Sequence, residues 1–403
     1  MIQPTTKKVK LCESENKDDR LSNLPDCVIL HILSFLNTKH AVRTCVLSVK
    51  WKDIWKYLPA LTWHYSDFRT MKIFIKFVSK VLSLRDSSVP LQSLDFSQTG
   101  CLSPQLIKRV ANYAISHNVH RLGLSVSCNI EQIPPTIFSS QTLTCLKLSV
   151  YARIGLEKTI FPKSFSLPAL TTLHLGNFAF CADDNRRAEP FSAFNRLNTM
   201  VLSQCGLKGT LTLCISSATL VNFTMRSHFY DIYEFDLCTP SLVTFVFTGK
   251  PCKIVSGSSL SYVRHVDIDA DISSHELKPA LFLLNWLLEL ADTKSLTVTA
   301  TTLQVLFLNA NLLKIKLPSL GNLKSLKVKN KPLKYGFRLT LMEIKLQKIK
   351  SRKEVAKLRK SFKAGLEPST PIPDGIVDFL IQNSPLAEVE IIDCSYRKEQ
   401  ATS

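Results

Sequence analysis

The side chains with the spacing to do chemistry are few. Asp267, Asp269 and Asp271 alternate along the chain, Asp183 and Asp184 are adjacent, and His117 and His120 stand three apart. Alternating carboxylates would suit a hard cation, but the glycine and distal glutamate of a calcium loop are missing, so they are expected to line a solvated strand face. The two histidines lack a second Cys or His pair at zinc-site spacing and are expected to be ordinary surface or loop residues. No G-x-x-x-x-G-K-S/T phosphate loop, G-x-S-x-G elbow or H-E-x-x-H pair occurs, and glycine, the residue of nucleotide-cradling loops, numbers only 12. No catalytic, metal or cofactor constellation stands out. The remaining candidates are binding surfaces.

The first is apolar. Leu24 and Pro25 open a run, Val28-Ile29-Leu30-His31-Ile32-Leu33-Ser34-Phe35-Leu36, in which only His31 and Ser34 are polar. Pro25 suits the first helical position and Asp26 the anion-favouring first turn. A helix so apolar all round cannot keep one face in water, so it must bury one side and offer the other to a partner. Thr38 is the expected N-cap of a second helix carrying Ala41, Val42, Cys45, Val46 and Val49 at roughly helical spacing. Trp51 and Trp55, four apart, share a face, and tryptophan is a frequent interface anchor. The plainer reading is a small helical subdomain with the aromatic pair as its core. The ordered pattern from Leu24-Pro25 to Trp51, however, resembles the F-box of plant F-box/leucine-rich-repeat proteins. It departs from that family at Cys27, Asn37 and Val49, where an acid, a proline and a base are usual.

The resemblance implies docking on a Skp-family adaptor and, through it, cullin, as the substrate-recognition subunit of an SCF-type ubiquitin ligase. The contact residues it implies are Leu24, Pro25, Ile29, Leu30, Leu33, Val46, Trp51 and Trp55. An F-box carries no chemistry of its own, so the chain is expected not to be an enzyme and to need no cofactor.

The elements that must position any partner follow a repeat. An apolar residue, two spacers, an apolar residue, one spacer and a third apolar residue recur at Leu91/Leu94/Phe96, Val119/Leu122/Leu124, Leu143/Leu146/Leu148 and Leu170/Leu173/Leu175. The pattern continues at Leu197/Met200/Leu202, Leu220/Phe223/Met225, Leu242/Phe245/Phe247 and Val263/Val266/Ile268, with weaker units at Leu296/Val298, Leu323/Leu326/Val328 and Leu386/Val389/Ile391. The first eight units start 21–28 residues apart, in or near the leucine-rich-repeat range of roughly 20–29. A β-sandwich would space its strands at about 8–12 residues. The expected fold is therefore α/β: a three-helix F-box, then an irregular leucine-rich-repeat solenoid with a parallel sheet. The unit from Leu197 adds Cys205 and Leu207, with Cys205 turned in to bond loop backbone. The expected divisions are a disordered basic tail (1–18), F-box (19–58), connector and capping helix (59–90), repeat array (91–335), and a basic helical segment with a cap resembling a plant FBD region (336–403).

Along such strands the spacer residues point out of the concave face. Thr199, Asn222, Thr244, His265 and Asp267 are the expected substrate contacts there, a mixed and mildly polar set that suits a protein or peptide. The net charge of +19 concentrates from Lys314 to Lys363, where 17 Lys/Arg meet two acids. A solvated helix is the plain reading of this segment; a nuclear-import or nucleic-acid patch, and a contact to inositol phosphates or an acidic substrate, compete with it. Few aromatics interleave with the bases, so nucleic-acid stacking is poorly supported. The twelve cysteines are scattered singly without an export signal, which points to buried, reduced thiols and a nuclear or cytoplasmic location, with no membrane span. A repeat scaffold or inhibitor without any ubiquitin-ligase role is the alternative reading.

Overall fold

The computed structural model describes residues 21, 23–98, 100, 104–128, 130–151, 158–162, 165–183, 186–227, 234–254, 259–272, 278–309, 312–317, 319–364 and 372–394. The expected basic tail and Lys7-Lys8-Val9-Lys10 lie outside them.

Three helical pieces come first: α1 (Asp26–Ser34), α2 (Thr38–Arg43) and α3 (Trp51–Ile54). Strand β1 (Ala60–His64) and helix α4 (Met71–Leu84) follow, then β2 (Ser93–Gln98), α5 (Pro104–Ser116), β3 (Arg121–Val126) and β4 (Cys145–Val150). The middle of the chain is β5 (Thr159–Ile160), β6 (Thr172–Gly176), β7 (Phe178–Cys181), β8 (Thr199–Ser203), β9 (Gly206–Lys208) and β10 (Thr212–Ser216). Next come β11 (Asn222–Ser227), β12 (Glu234–Cys238), β13 (Thr244–Gly249), β14 (Lys253–Ile254) and β15 (His265–Ala270). The last part is α6 (Lys278–Glu289), β16 (Ser295–Thr299), α7 (Ala300–Leu306), β17 (Ser325–Asn330), α8 (Tyr335–Lys348), α9 (Arg352–Lys363), α10 (Ile376–Ile381) and β18 (Glu388–Asp393).

Twelve strands form one parallel sheet in the order β1-β2-β3-β4-β6-β8-β11-β13-β15-β16-β17-β18. Its register follows from the repeat. Leu61, Leu94, Leu122, Leu146, Leu173 and Met200 are Cα partners in succession, and the row continues through Phe223, Phe245, Val266, Leu296, Leu326 and Val389. Side chains alternate along a strand, so this row and the next one face inward together. From Leu61 to Leu326 every member of the row is buried. No single strand could bury that face alone; stacking does it.

The covered side is filled by helices and by two small parallel sheets, β5-β7-β9 and β10-β12-β14. Phe74 of α4 packs on Phe96, Phe235 of β12 on Phe223, and Trp286 of α6 on Phe247, at ring separations of 5.5, 6.4 and 4.8 Å. Phe161, Phe178, Phe180, Phe191 and Phe194 form a further aromatic group there, all buried. The stretch from Phe178 to Phe191 opens with strand β7, a continuously apolar run that follows directly on β6 and carries no repeat spacing of its own.

Two other expectations change. The segment read as a connector contains β1, the first strand of the main sheet, and Leu58/Leu61/Trp63 carry the repeat spacing. The basic run from Leu346 to Phe362 is not one helix: it breaks between α8 and α9 at Ile349–Ser351. At the far edge, β18 pairs only with β17, and its inward-phase Val389 and Ile391 are 38% and 57% exposed.

The described cysteines are all free thiols. Cys128, Cys205, Cys214 and Cys252 are buried as expected, but Cys27 and Cys238 are exposed. Cys205 Sγ lies 3.6 Å from the carbonyls of Leu175 and Ser203, the inward bonding expected of its slot. Burial pushes its thiol up to about 11, so it stays protonated and behaves as a small hydrophobe.

Met200 lies in the middle of the continuous inward row. Met200→Asp should lower stability by about 3–5 kcal/mol, the cost of an uncompensated buried charge. Thr224→Asp, on the half-exposed opposite face, should change it by less than about 1 kcal/mol. Urea melts followed by circular dichroism compare the two; equal stabilities would remove Met200 from the core.

Candidate protein-docking surfaces

The helical module at the N-terminus has an inside and an outside that its apolar sequence did not distinguish. Pro25, with φ −58° and ψ 148°, caps α1 rather than holding its first position, so the helix begins one residue later than expected, at Asp26. Ile29 and Leu33, four apart, turn inward and are fully buried. They join Trp51, Ile54, Trp55 and Leu58, each no more than 5% exposed, in the same core. Of the eight residues expected to touch an adaptor, Ile29, Leu33, Trp51 and Trp55 are therefore the interior of the module, and a partner cannot reach them directly. Leu24 and Leu30 are half-buried, and Pro25 and Val46 are exposed.

The outside is apolar too. Val28 and Ile32 are each 38% exposed, Leu36 40% and Phe35 77%, so one face of α1 presents aliphatic and aromatic carbon to water. The turn before α3 adds Val46 at 84%, Leu47 at 54% and Val49 at 89%. These two patches are tied together. Lys50 Nζ donates to the Leu24 carbonyl and pairs with Asp26 at 3.3 Å, which sets the turn from Val46 to Val49 beside the start of α1. Sequence reasoning missed Val28, Ile32, Phe35, Leu36, Leu47 and Val49 as surface. The i, i+4 partition of α1 was available, but an all-apolar helix gives it no phase.

The module is fastened to the repeat array by specific bonds. Asn37, not Thr38, caps α2: its Oδ1 accepts from the His40 amide at 2.9 Å, and its Nδ2 donates to Asp67 Oδ2 at 2.9 Å. Thr38 is buried instead, its Oγ1 accepting from the Thr62 amide of β1 at 2.8 Å. Lys39 sits 4.8 Å over the Phe68 ring. Beneath them lies Arg85, 5% exposed. Its guanidinium donates to the carbonyls of Leu58, Val89 and Pro90 at 3.0–3.3 Å. A buried cation held by carbonyls joins the end of the module to the approach of β2.

The open face of the sheet is the second surface. Thr199, Asn222, Thr244 and His265 are successive Cα partners on β8, β11, β13 and β15, so the structure does bring them into one row. Asn222 Nδ2 donates to Thr199 Oγ1 at 3.3 Å. Asp267 lies two residues further along β15 and is ion-paired with Lys329 of β17 at 2.7 Å. Lys331 pairs with Asp269 at 3.6 Å, Lys334 with Asp271 at 3.3 Å and Lys327 with Glu390 at 2.9 Å. The three alternating aspartates thus face lysines, and much of the early basic segment is neutralised on this face. The rest of that segment is α8 and α9, and α9 has no buried residue.

Comparison with known proteins adds to this geometry. Residues 21–62 match the F-box domain family. The chain is 28% identical to an F-box/FBD/LRR-repeat protein of Arabidopsis thaliana, across 82% of this chain and 74% of that protein. It is 25% identical to an FBD-associated F-box protein of the same plant, across 76% of this chain and 71% of the relative. A third Arabidopsis protein, an F-box/LRR-repeat protein, is 27% identical across 78% of this chain and 68% of its own length.

If Arg85 holds the junction, Arg85→Met should cost about 2–4 kcal/mol, since the buried Leu58 carbonyl and the part-buried carbonyls of Val89 and Pro90 lose their donor. Arg85→Lys should recover only part of that, because one ammonium cannot reach the carbonyls the planar fork serves. Thermal melts of both variants test the point, and wild-type stability in the methionine variant would show the junction to be held elsewhere.

Proposed function

We propose that this chain, an F-box protein with leucine-rich repeats, is the substrate-recognition subunit of an SCF-type ubiquitin ligase in the nucleus and/or cytoplasm. Its F-box docks on a Skp-family adaptor and through it on cullin, while the open face of the repeat sheet holds a protein substrate for ubiquitination. The observation that carries this reading is the apolar exterior of a very small module. Val28, Ile32, Phe35, Leu36, Val46, Leu47 and Val49 lie exposed together on a unit whose own core is already complete. Clustered exposed carbon of this kind marks a protein-interaction surface. Covering a large apolar side chain contributes roughly 1.5–3 kcal/mol before the costs of association are subtracted. In this reading the chain supplies no chemistry; it holds a substrate in place.

The substrate side rests on the row Thr199, Asn222, Thr244 and His265, with Asp267 at its edge. Its hydroxyls and amide suit the backbone and polar side chains of a protein segment.

Phe35→Asp combined with Val46→Asp alters only exposed positions and should weaken capture by a purified Skp-family adaptor at least tenfold, with the melting temperature nearly unchanged. Trp55→Ala should lose capture through unfolding instead, destabilising by about 3–5 kcal/mol. Titration calorimetry and melting on the same samples separate the two cases. Undiminished capture by the double aspartate variant would move the docking surface off this face, and no capture by the wild type would leave a repeat scaffold or inhibitor without ligase role as the better reading.

A further inference from the structure

The two halves of the open face treat charge differently. On the C-terminal half, each of Lys327, Lys329, Lys331 and Lys334 has an acid at 2.7–3.6 Å. On the strands from β3 to β11 the open-face positions are Arg121, Gly123 and Ser125; Cys145, Lys147 and Ser149; Thr172, His174 and Gly176; Thr199, Val201 and Ser203; and Asn222, Thr224 and Arg226. No acid is among them. Asp95, on β2, flanks the group. Arg121, Lys147 and Arg226 are exposed, His174 is half-buried, and among the described residues none of the three permanent cations has an ion pair. They run diagonally, from the first open-face row on β3 to the third on β11.

Their fields converge. The His174 imidazole is held below its ordinary value first by burial, then by Lys147 and Arg226. Around the cations the side chains are short: Ser125, Ser149, Gly176 and Ser203 leave the sheet floor low and lined with hydroxyls, while the Asp95 carboxylate of β2 fills the space over Gly123. A Cβ at Gly176 would run into the side chain of Ser149 on the neighbouring strand. Unpaired like charges on a solvated sheet raise the local potential and attract counter-charge. Where this sheet uses lysines within its own structure it pairs them with acids; here Asp95 flanks the three cations and, among the described residues, is ion-paired with none of them.

We infer that Arg121, Lys147, His174 and Arg226 form the receptor site for an extended acidic peptide segment of the substrate, lying across the strands from β3 to β11. This deepens the proposed receptor role and rests on it. Four strand spacings of about 4.8 Å and four residues along the strand make the diagonal roughly 23 Å, or about seven extended residues. Carboxylate or phosphoserine side chains supply the same negative charge, and charge-assisted bonds from two arginines favour both. The rows hold no Phe, Tyr or Trp on which bases could stack, which favours a peptide over a nucleic acid.

The full chain is titrated by fluorescence anisotropy with a labelled seven-residue peptide of alternating Glu and Ser, its phosphoserine form, a Lys/Ser peptide and a single-stranded RNA. Both acidic peptides should bind and the Lys/Ser peptide should not. Lys147→Glu with Arg226→Glu should weaken acidic-peptide binding at least tenfold, whereas Lys357→Glu with Lys360→Glu on α9 should change it less than twofold. Lys147→Ala with Arg226→Ala replaces the reversal should that variant melt early. No peptide binding by the wild type, equal binding by the variant, or equal loss from the α9 change overturns the proposal. Tighter binding of RNA, lost in the same variant, overturns it in favour of a nucleic acid. Adaptor capture is measured on each sample. Its absence in the wild type defeats the ligase reading, while peptide binding is decided independently.

Discussion

The whole chain depends on one constraint: an inward row of apolar side chains that no strand can cover by itself. Parallel strands solve it only when neighbours keep register, because a slip of one residue would turn every inward side chain to water. The register here is unbroken from Leu61 of β1 to Val389 of β18. Irregularity is pushed into the returning segments, which range from helices to two-residue strands. Gly249 shows how tightly the stack fits. With φ at +133°, it closes β13 where any Cβ would overlap the Ser227 carbonyl of β11.

A stacked array has two ends, and they are managed differently. At the first end, Leu61 and Trp63 of β1 are buried, and the interior of the helical module continues the same core from Ile29 onward. The F-box is thus also the cap of the repeats. At the other end, Val389 and Ile391 remain in contact with water. The face between the ends is divided by charge. β16 presents Ser295, Thr297 and Thr299 between the aspartates of β15 and the lysines of β17, so long lysines reach over a hydroxyl strand to their partners. Exposed pairs of this kind contribute little stability each. Their larger effect is to neutralise lysines of the C-terminal half, whereas Arg121, Lys147 and Arg226 have no ion pair among the described residues.

How much of this was legible depends on what sets the phase of a pattern. Strand alternation combined with a repeat of 21–28 residues located nearly every strand of the main sheet, since most inward residues have a polar neighbour to mark their side. Helix α1 has no such marks. With polar residues only at His31 and Ser34, the sequence announced a buried side and a docking side without saying which was which, so Ile29 and Leu33 were placed outside. The tryptophans were misplaced for a related reason: an anchor for a partner and an anchor for a core share one composition. Thr38 and Asn37 were exchanged because both cap helices well, and only the amide of Thr62, far along the chain, decided between them. The charge ladder was equally hidden, because Lys329 and Asp267 meet only through the register of two strands.

The junction converts these local facts into a property of the whole. For the receptor role proposed above, a fixed distance between the two surfaces would matter, since a rigid link raises the effective concentration of one partner near the other. A flexible tether would spread that concentration over a large volume. Here the link is short. Thr38 bonds β1, Asn37 bonds the turn after it, and Arg85 gathers carbonyls from Leu58, Val89 and Pro90. The Thr38, Asn37 and Arg85–Leu58 bonds cross from the helical module, or from its last residue, to the segment that begins the repeats. Local opening there would have to break a continuous apolar core and strand a buried cation, both costly. The position of the basic stripe relative to the apolar docking face is therefore set by the fold rather than by the partners it meets.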